Sequence, residues 1–165
     1  MKKSCLTLLI GVVFVFLVNC RNKDNRMVIK FPESYYNKQY SNFLQSKSKF
    51  KVVNYISVDC SACFNVIKVW YTLFEKNKLP DNVNVCFITY GEQKDVFSYY
   101  LDKLGDNPFG FYEEINQEFM TLNPIKDLKF YKTVLINENN EVLLIGNPID
   151  NKDVMDKYIK MGVIQ

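Results

Sequence analysis

The sequence predicts an α/β fold, a central mixed β-sheet flanked by helices, and two observations carry that prediction. Between Val52 and Leu104, apolar β-rich runs alternate twice with helical periodicities, an order that favours parallel pairing through a right-handed crossover. Phe130 to Asn137 and Glu141 to Ile145 then face each other across the polar turn Glu138-Asn139-Asn140, which marks an antiparallel hairpin.

The chain has 165 residues, enough for one domain that buries roughly two-thirds of its unfolded surface without a metal or disulfide as a staple. It opens on Lys2 and Lys3, followed by an apolar run from Leu6 to Val18 that is short for a bilayer span and predicts an export signal. An uncleaved membrane anchor is the rival, kept open by Arg21, Lys23 and Arg26 just past the run. Arg21 to Asn25 predict a polar tether and Met27 to Phe31 a short strand ended by Pro32. From Glu33 to Lys51 the pattern is weak, with Tyr35, Tyr36, Tyr40, Phe43 and Leu44 partly suiting a helix.

Val52, Val53, Tyr55, Ile56 and Val58 are β-branched or aromatic and suit a buried strand, whereas Phe64, Ile67, Trp70 or Tyr71, and Phe74 recur at helical spacing. Cys60 and Cys63 therefore fall at a strand-to-helix junction. The first turn of a helix carries unpaired N–H groups and the positive end of the macrodipole, which favour thiolate over thiol at Cys60. Cys63, one turn on, can resolve a mixed disulfide. Asp59 sets a carboxylate beside Cys60, and its charge opposes that thiolate.

Further along, Pro80-Asp81 turns into the strand Val83 to Tyr90, in which Cys86 reads as a buried inert thiol. Gly91 precedes a helix from about Gln93 to Leu104 with Val96, Phe97, Tyr100, Leu101 and Leu104 on one face. After Asn107-Pro108, Phe109 to Tyr112 predict a short strand and Glu113 to Leu122 a short helix. Gly146-Asn147-Pro148 stops the hairpin, and Asp150 or Asn151 can cap a last helix carrying Val154, Met155, Tyr158 and Ile159.

Composition removes several kinds of chemistry. Histidine is absent, which excludes Ser-His-Asp and Cys-His nucleophile systems, helical His-Glu-x-x-His zinc sites and imidazole copper sites. A net charge of +3 that falls to +1 without Lys2 and Lys3 gives no electrostatic case for nucleic acid. Zinc at the Cys pair would need two further ligands, and only Cys86 is left to offer a thiolate, so no metal is expected. A redox dithiol, a structural disulfide or an inert pair of thiols remains.

A strand, Cys60-Ser61-Ala62-Cys63, an amphipathic helix, and a closing hairpin and helix resemble the thioredoxin superfamily, especially its exported TlpA-type members, over about Lys51 to Ile159. Leu17-Val18-Asn19-Cys20 resembles the lipobox of bacterial lipoproteins, with Asn19 where a small residue is usual. The resemblances imply a signal peptide over 1–19, a lipidated Cys20 with tether and extension over 20–50, and a thioredoxin-like domain over 51–165. They imply a membrane-tethered thiol-disulfide oxidoreductase of the cell envelope, facing the periplasm or the outside. It would act on protein thiols or disulfides, more as reductase than as oxidase, with Cys60 attacking, Cys63 resolving and no bound cofactor.

The chain also departs from that family. Asn54 stands where many thioredoxins carry a buried acid six residues before the first cysteine, and Tyr131-Lys132-Thr133 matches the region of the family's cis-proline. A cis bond before a non-proline residue costs about 2.5–4 kcal/mol, so a trans peptide is expected at Lys132 and Thr133, the positions that would face substrate or tune the pair. Asp59, Asn54 and the missing proline motivate the alternative, a thioredoxin-fold binding lipoprotein whose disulfide is structural or sensory.

Overall fold

The computed structural model describes residues 26–36, 41–105, 108–114, 116–125 and 131–165. The expected leader, its lipobox and Cys20 lie outside the described residues. Five strands form one sheet in the order β3-β2-β1-β4-β5, with β1 at Phe50–Ser57, β2 at Val83–Tyr90, β3 at Gly110–Glu113, β4 at Tyr131–Asn137 and β5 at Val142–Ile145. β1 runs parallel to β2, and β2 parallel to β3, while β4 lies antiparallel to β1 and β5 antiparallel to β4. The mixed sheet is thus a parallel half joined at β1 to a hairpin.

β1 lies at the middle, and all eight of its residues are buried. Its sequence, FKVVNYIS, is a near-continuous apolar run of the kind a strand covered on both faces requires. Alternate side chains serve two separate cores. On one face Val52, Ile56, Val85, Phe87 and Leu135 pack with Ile67 and Trp70 of helix α3 (Ser61–Glu75), Phe97 of α4 (Lys94–Asp102) and Tyr158 of α6 (Lys152–Lys160). On the other, Val53, Tyr55, Cys86, Ile88, Val134 and Ile136 meet Ile29, Phe31, Tyr35 of α1 (Glu33–Tyr36), Phe43 of α2 (Ser41–Gln45) and Phe119 of α5 (Glu118–Leu122).

Several expectations change in detail. Met27 to Phe31 is not a strand: only Val28 bridges, to Glu141, while the Val142 N–H donates to the Met27 carbonyl at 2.8 Å. The segment ahead of β1 nevertheless supplies Ile29, Phe31, Tyr35 and Phe43 to the second core. α3 buries Trp70 rather than Tyr71, and Phe74 is 46% exposed because the stripe drifts off the sheet near the helix end. α4 buries Phe97 alone, leaving Val96 and Tyr100 of the predicted apolar face in solvent. The last helix is capped by Asn151, whose Oδ1 accepts the Val154 N–H at 2.8 Å.

Candidate active site

The end of β1 builds the junction by backbone bonds. The Val58 N–H reaches the Tyr90 carbonyl at 2.8 Å, extending the parallel pairing by one residue, and the chain then turns at Asp59. The Asp59 N–H donates to Ser57 Oγ at 3.2 Å and the Cys60 N–H to the Ser57 carbonyl at 3.4 Å. Cys60 sits at the N-cap of α3 in extended conformation, φ −109° and ψ 108°, and its side chain accepts no capping bond. Its sulfur is left for other work.

Cys60 is half-buried, whereas Cys63 is 1% exposed. The Cys63 N–H donates to the Cys60 carbonyl at 3.0 Å, closing the first turn. The Cys63 thiol is pushed up to about 12, first by burial, then by its hydrogen bond with Cys60 and the charge that Cys60 can carry; a backbone hydrogen bond at Ser57 offsets part of this. Cys63 therefore stays protonated at neutral pH while Cys60 meets solvent. Cys86 lies in the other core, fully buried, its thiol also raised by desolvation.

Of the residues expected to tune the pair, Asp59 is held by backbone. Its Oδ1 accepts the N–H groups of Glu92 at 3.0 Å and Gln93 at 2.9 Å, at the entry to α4, so the carboxylate ties the cysteine turn to the β2–α4 loop. Thr133 does not act alone: its hydroxyl donates to Asn54 Oδ1 at 2.8 Å, and Asn54 Nδ2 donates to the Cys86 carbonyl at 3.3 Å. Lys132, one residue earlier, points to the opposite face, where its ammonium donates to Met120 Sδ at 3.2 Å and the Ile125 carbonyl at 3.5 Å. No cis peptide bond occurs among the described residues.

Sequence reading missed Tyr90 and Ser57. The Tyr90 ring stacks on Tyr55 at 4.6 Å, its hydroxyl hydrogen-bonds with the Ser57 side chain, and burial together with nearby Cys63 raises its pKa. Both residues end paired strands, Ser57 opposite Tyr90, a juxtaposition that only the β1–β2 register could have revealed. Among the described residues, no group of three or more acidic, cysteine or histidine side chains could hold a metal ion, and no helix is long and apolar enough to cross a membrane.

The strand order, the mixed pairing and a Cys-x-x-Cys pair at the start of the helix after the central strand decide the architecture. The fold is thioredoxin-like. Solved structures agree: a DsbF homologue from Corynebacterium diphtheriae superposes with a TM-score of 0.53 at 16% identity, over 70% of this chain and 75% of that one. The thioredoxin domain of a thiol-disulfide oxidoreductase from Bacteroides vulgatus gives 0.52 at 12% identity, over 74% and 83%. The exposed lipoprotein thioredoxin of Streptococcus pneumoniae gives 0.51 at 13% identity, over 72% and 89%. No family model and no curated protein matches the sequence.

Proposed function

We propose that this thioredoxin-like protein is a thiol-disulfide oxidoreductase, tethered to a membrane through lipidated Cys20, that reduces protein disulfides on the extracytoplasmic side. The observation that carries the reading is the asymmetry of the pair: a half-buried Cys60 at a helix N-cap beside a buried, protonated Cys63. The similar structures from Bacteroides vulgatus and Streptococcus pneumoniae support it, one as a thiol-disulfide oxidoreductase and one as an exposed lipoprotein thioredoxin.

Cys60 attacks one sulfur of a substrate disulfide; the substrate S–S bond breaks, a Cys60–substrate disulfide forms, and the other substrate sulfur leaves as thiolate. Cys63 then passes its proton to that departing thiolate and attacks Cys60 Sγ. The substrate's second sulfur leaves, and two electrons have moved from the dithiol to the substrate. With Asn54 where an acid would stand, no carboxylate on β1 serves as proton acceptor for Cys63.

Asn54 and the engaged Asp59 favour a second reading, a binding lipoprotein with a structural or sensory disulfide. The reduction potential of the Cys60–Cys63 pair separates the two, equilibrated against glutathione and dithiothreitol. A value near roughly −270 mV is expected of a reductase, and one near about −120 mV would assign an oxidase. A value below about −300 mV would hand the pair to the structural reading.

A further inference from the structure

Beside the cysteines lies an apolar surface that the thiol chemistry leaves without a role. α4 turns Val96, Tyr99 and Tyr100 to solvent at 47, 56 and 45% exposure, while Phe97 holds the helix to the core. Phe64, the residue after Cys63, bridges the two sides: its ring is 5.2 Å from Phe97 and 4.8 Å from Tyr100. Tyr99 meets Tyr100 edge-on at 5.7 Å, and the Lys103 ammonium lies 4.3 Å over Tyr99.

Between α3 and α4 this surface deepens into a cleft of about 340 Å³. Val58, Phe64, Val96 and Tyr100 give it apolar walls, Asn65, Gln93 and Lys68 add polar groups, and Asp59 and Ser61, the two neighbours of Cys60, line it as well. Val96, Tyr99 and Tyr100 adjoin one another on one helix, and contiguous exposed apolar side chains of this kind mark interaction surfaces.

We propose that the cleft seats the stretch of a protein substrate next to its reactive cysteine and selects an aromatic or large aliphatic side chain there. The inference rests on the reading of Cys60 as nucleophile. A sulfur joined to Cys60 brings its own chain across the neighbours of Cys60, and both of those neighbours line the cleft. Phe64 lies four residues from Cys60, about 6 Å along the helix axis. An extended chain rises about 3.3 Å per residue, so the side chain two places from the substrate cysteine reaches Phe64 and Tyr100. The amide side chains of Asn65 and Gln93, both on the lining, can bond the backbone of such an extended segment.

The test uses the full chain in detergent, reduced, and two peptides each carrying glutathione on a single cysteine, identical except for Phe or Ser two residues beyond it. Glutathione disulfide serves as a substrate with no side chain two places from its cysteine. The Phe peptide is expected to react roughly tenfold faster than the Ser peptide, the discrimination a single apolar side chain commonly earns in a pocket. In the double variant Val96→Ser, Tyr100→Ser that ratio should fall to about one, with the glutathione disulfide rate unchanged.

Equal rates for the two peptides on the wild-type chain, or a preference that survives the double variant, would overturn the assignment. So would a wild-type dimer that the double variant dissociates with peptide rates unaltered, which gives the face to a second copy. Should glutathione disulfide fail to oxidise the pair, the reductase reading falls separately. The cleft is then judged by protection: the Phe peptide with serine for its cysteine must slow Cys60 alkylation where the Ser peptide does not, and absence of protection rejects it.

Discussion

Asn54 is wholly buried and both ends of its amide are used, towards Thr133 and the Cys86 carbonyl. An aspartate there keeps the Thr133 bond but sets an oxygen against the Cys86 carbonyl unless it holds a proton. Asn54→Asp is expected to cost about 1–3 kcal/mol of stability at pH 4 and more at pH 7. The sign follows from burial: the folded-state carboxyl titrates above its unfolded value near 3.9, so the unfolded chain ionises first and the variant weakens as pH rises past that value. Urea midpoints relative to wild type check this, and a variant better tolerated at pH 7 than at pH 4 would contradict it. The raised Cys63 thiol sets a second expectation: iodoacetamide at pH 7 labels Cys60 in the folded chain, and Cys63 and Cys86 only in urea, as peptide mass spectra would report. The pair was legible because it is a matter of spacing along one segment, and the missing acid because the resemblance to thioredoxins implies one at Asn54. Thr133 as the partner of Asn54 was not, since it depends on how β4 registers against β1, with Asn54 opposite Thr133.

The cysteine turn and α4 are joined by one device. Asp59 caps the entry to α4, and Gly91 makes room for it: a Cβ on Gly91 would collide with Asp59 Oδ2 and Val58, and its φ of +122° disfavours any side chain. Asp59→Ala should cost about 1 kcal/mol, the value of a lost cap. Gly91→Ala should cost about 1–3 kcal/mol from strain and collision together. In the double variant part of the collision vanishes but the backbone strain does not, so the two losses should sum to more than the measured whole. A double-mutant cycle in urea that proves additive would remove the contact from the account. Sequence placed a glycine ahead of a helix correctly, yet the partner of that glycine, thirty-odd positions earlier, emerges only from β1–β2 pairing. α4 shows the complementary limit. Apolar residues at helical spacing define a stripe, but how much of the stripe is covered depends on what packs beside it: Phe97 is buried, Leu101 and Leu104 are half-buried, and Val96 and Tyr100 stay exposed.

At the scale of the whole molecule the sheet separates two cores, and the residues before β1 matter to only one of them. Ile29, Phe31, Tyr35 and Phe43 are each 9% exposed or less, and Phe31 and Phe43 pack edge to face at 6.4 Å. Their weak periodicity hid this in the sequence, because helical turns of four and five residues are too short to show a repeat. The cysteines and α3 belong to the other face. A chain cut to begin at Phe50 therefore keeps every residue of the candidate active site and loses the cover of Tyr55, Ile88, Val134 and Ile136. At roughly 1.5–3 kcal/mol per buried apolar side chain, four such losses amount to about 6–12 kcal/mol. That rivals the roughly 5–15 kcal/mol that holds an entire domain folded. The truncated chain is expected to bind ANS and to lose near-ultraviolet circular dichroism while keeping secondary structure, the signs of a domain without fixed packing. If it instead unfolds in urea at the midpoint of the longer chain, the extension carries no stability and the second core closes without it. Because the pair sits on the covered face, any fall in Cys60 reactivity in that variant would measure how far order in one core depends on the other across the sheet.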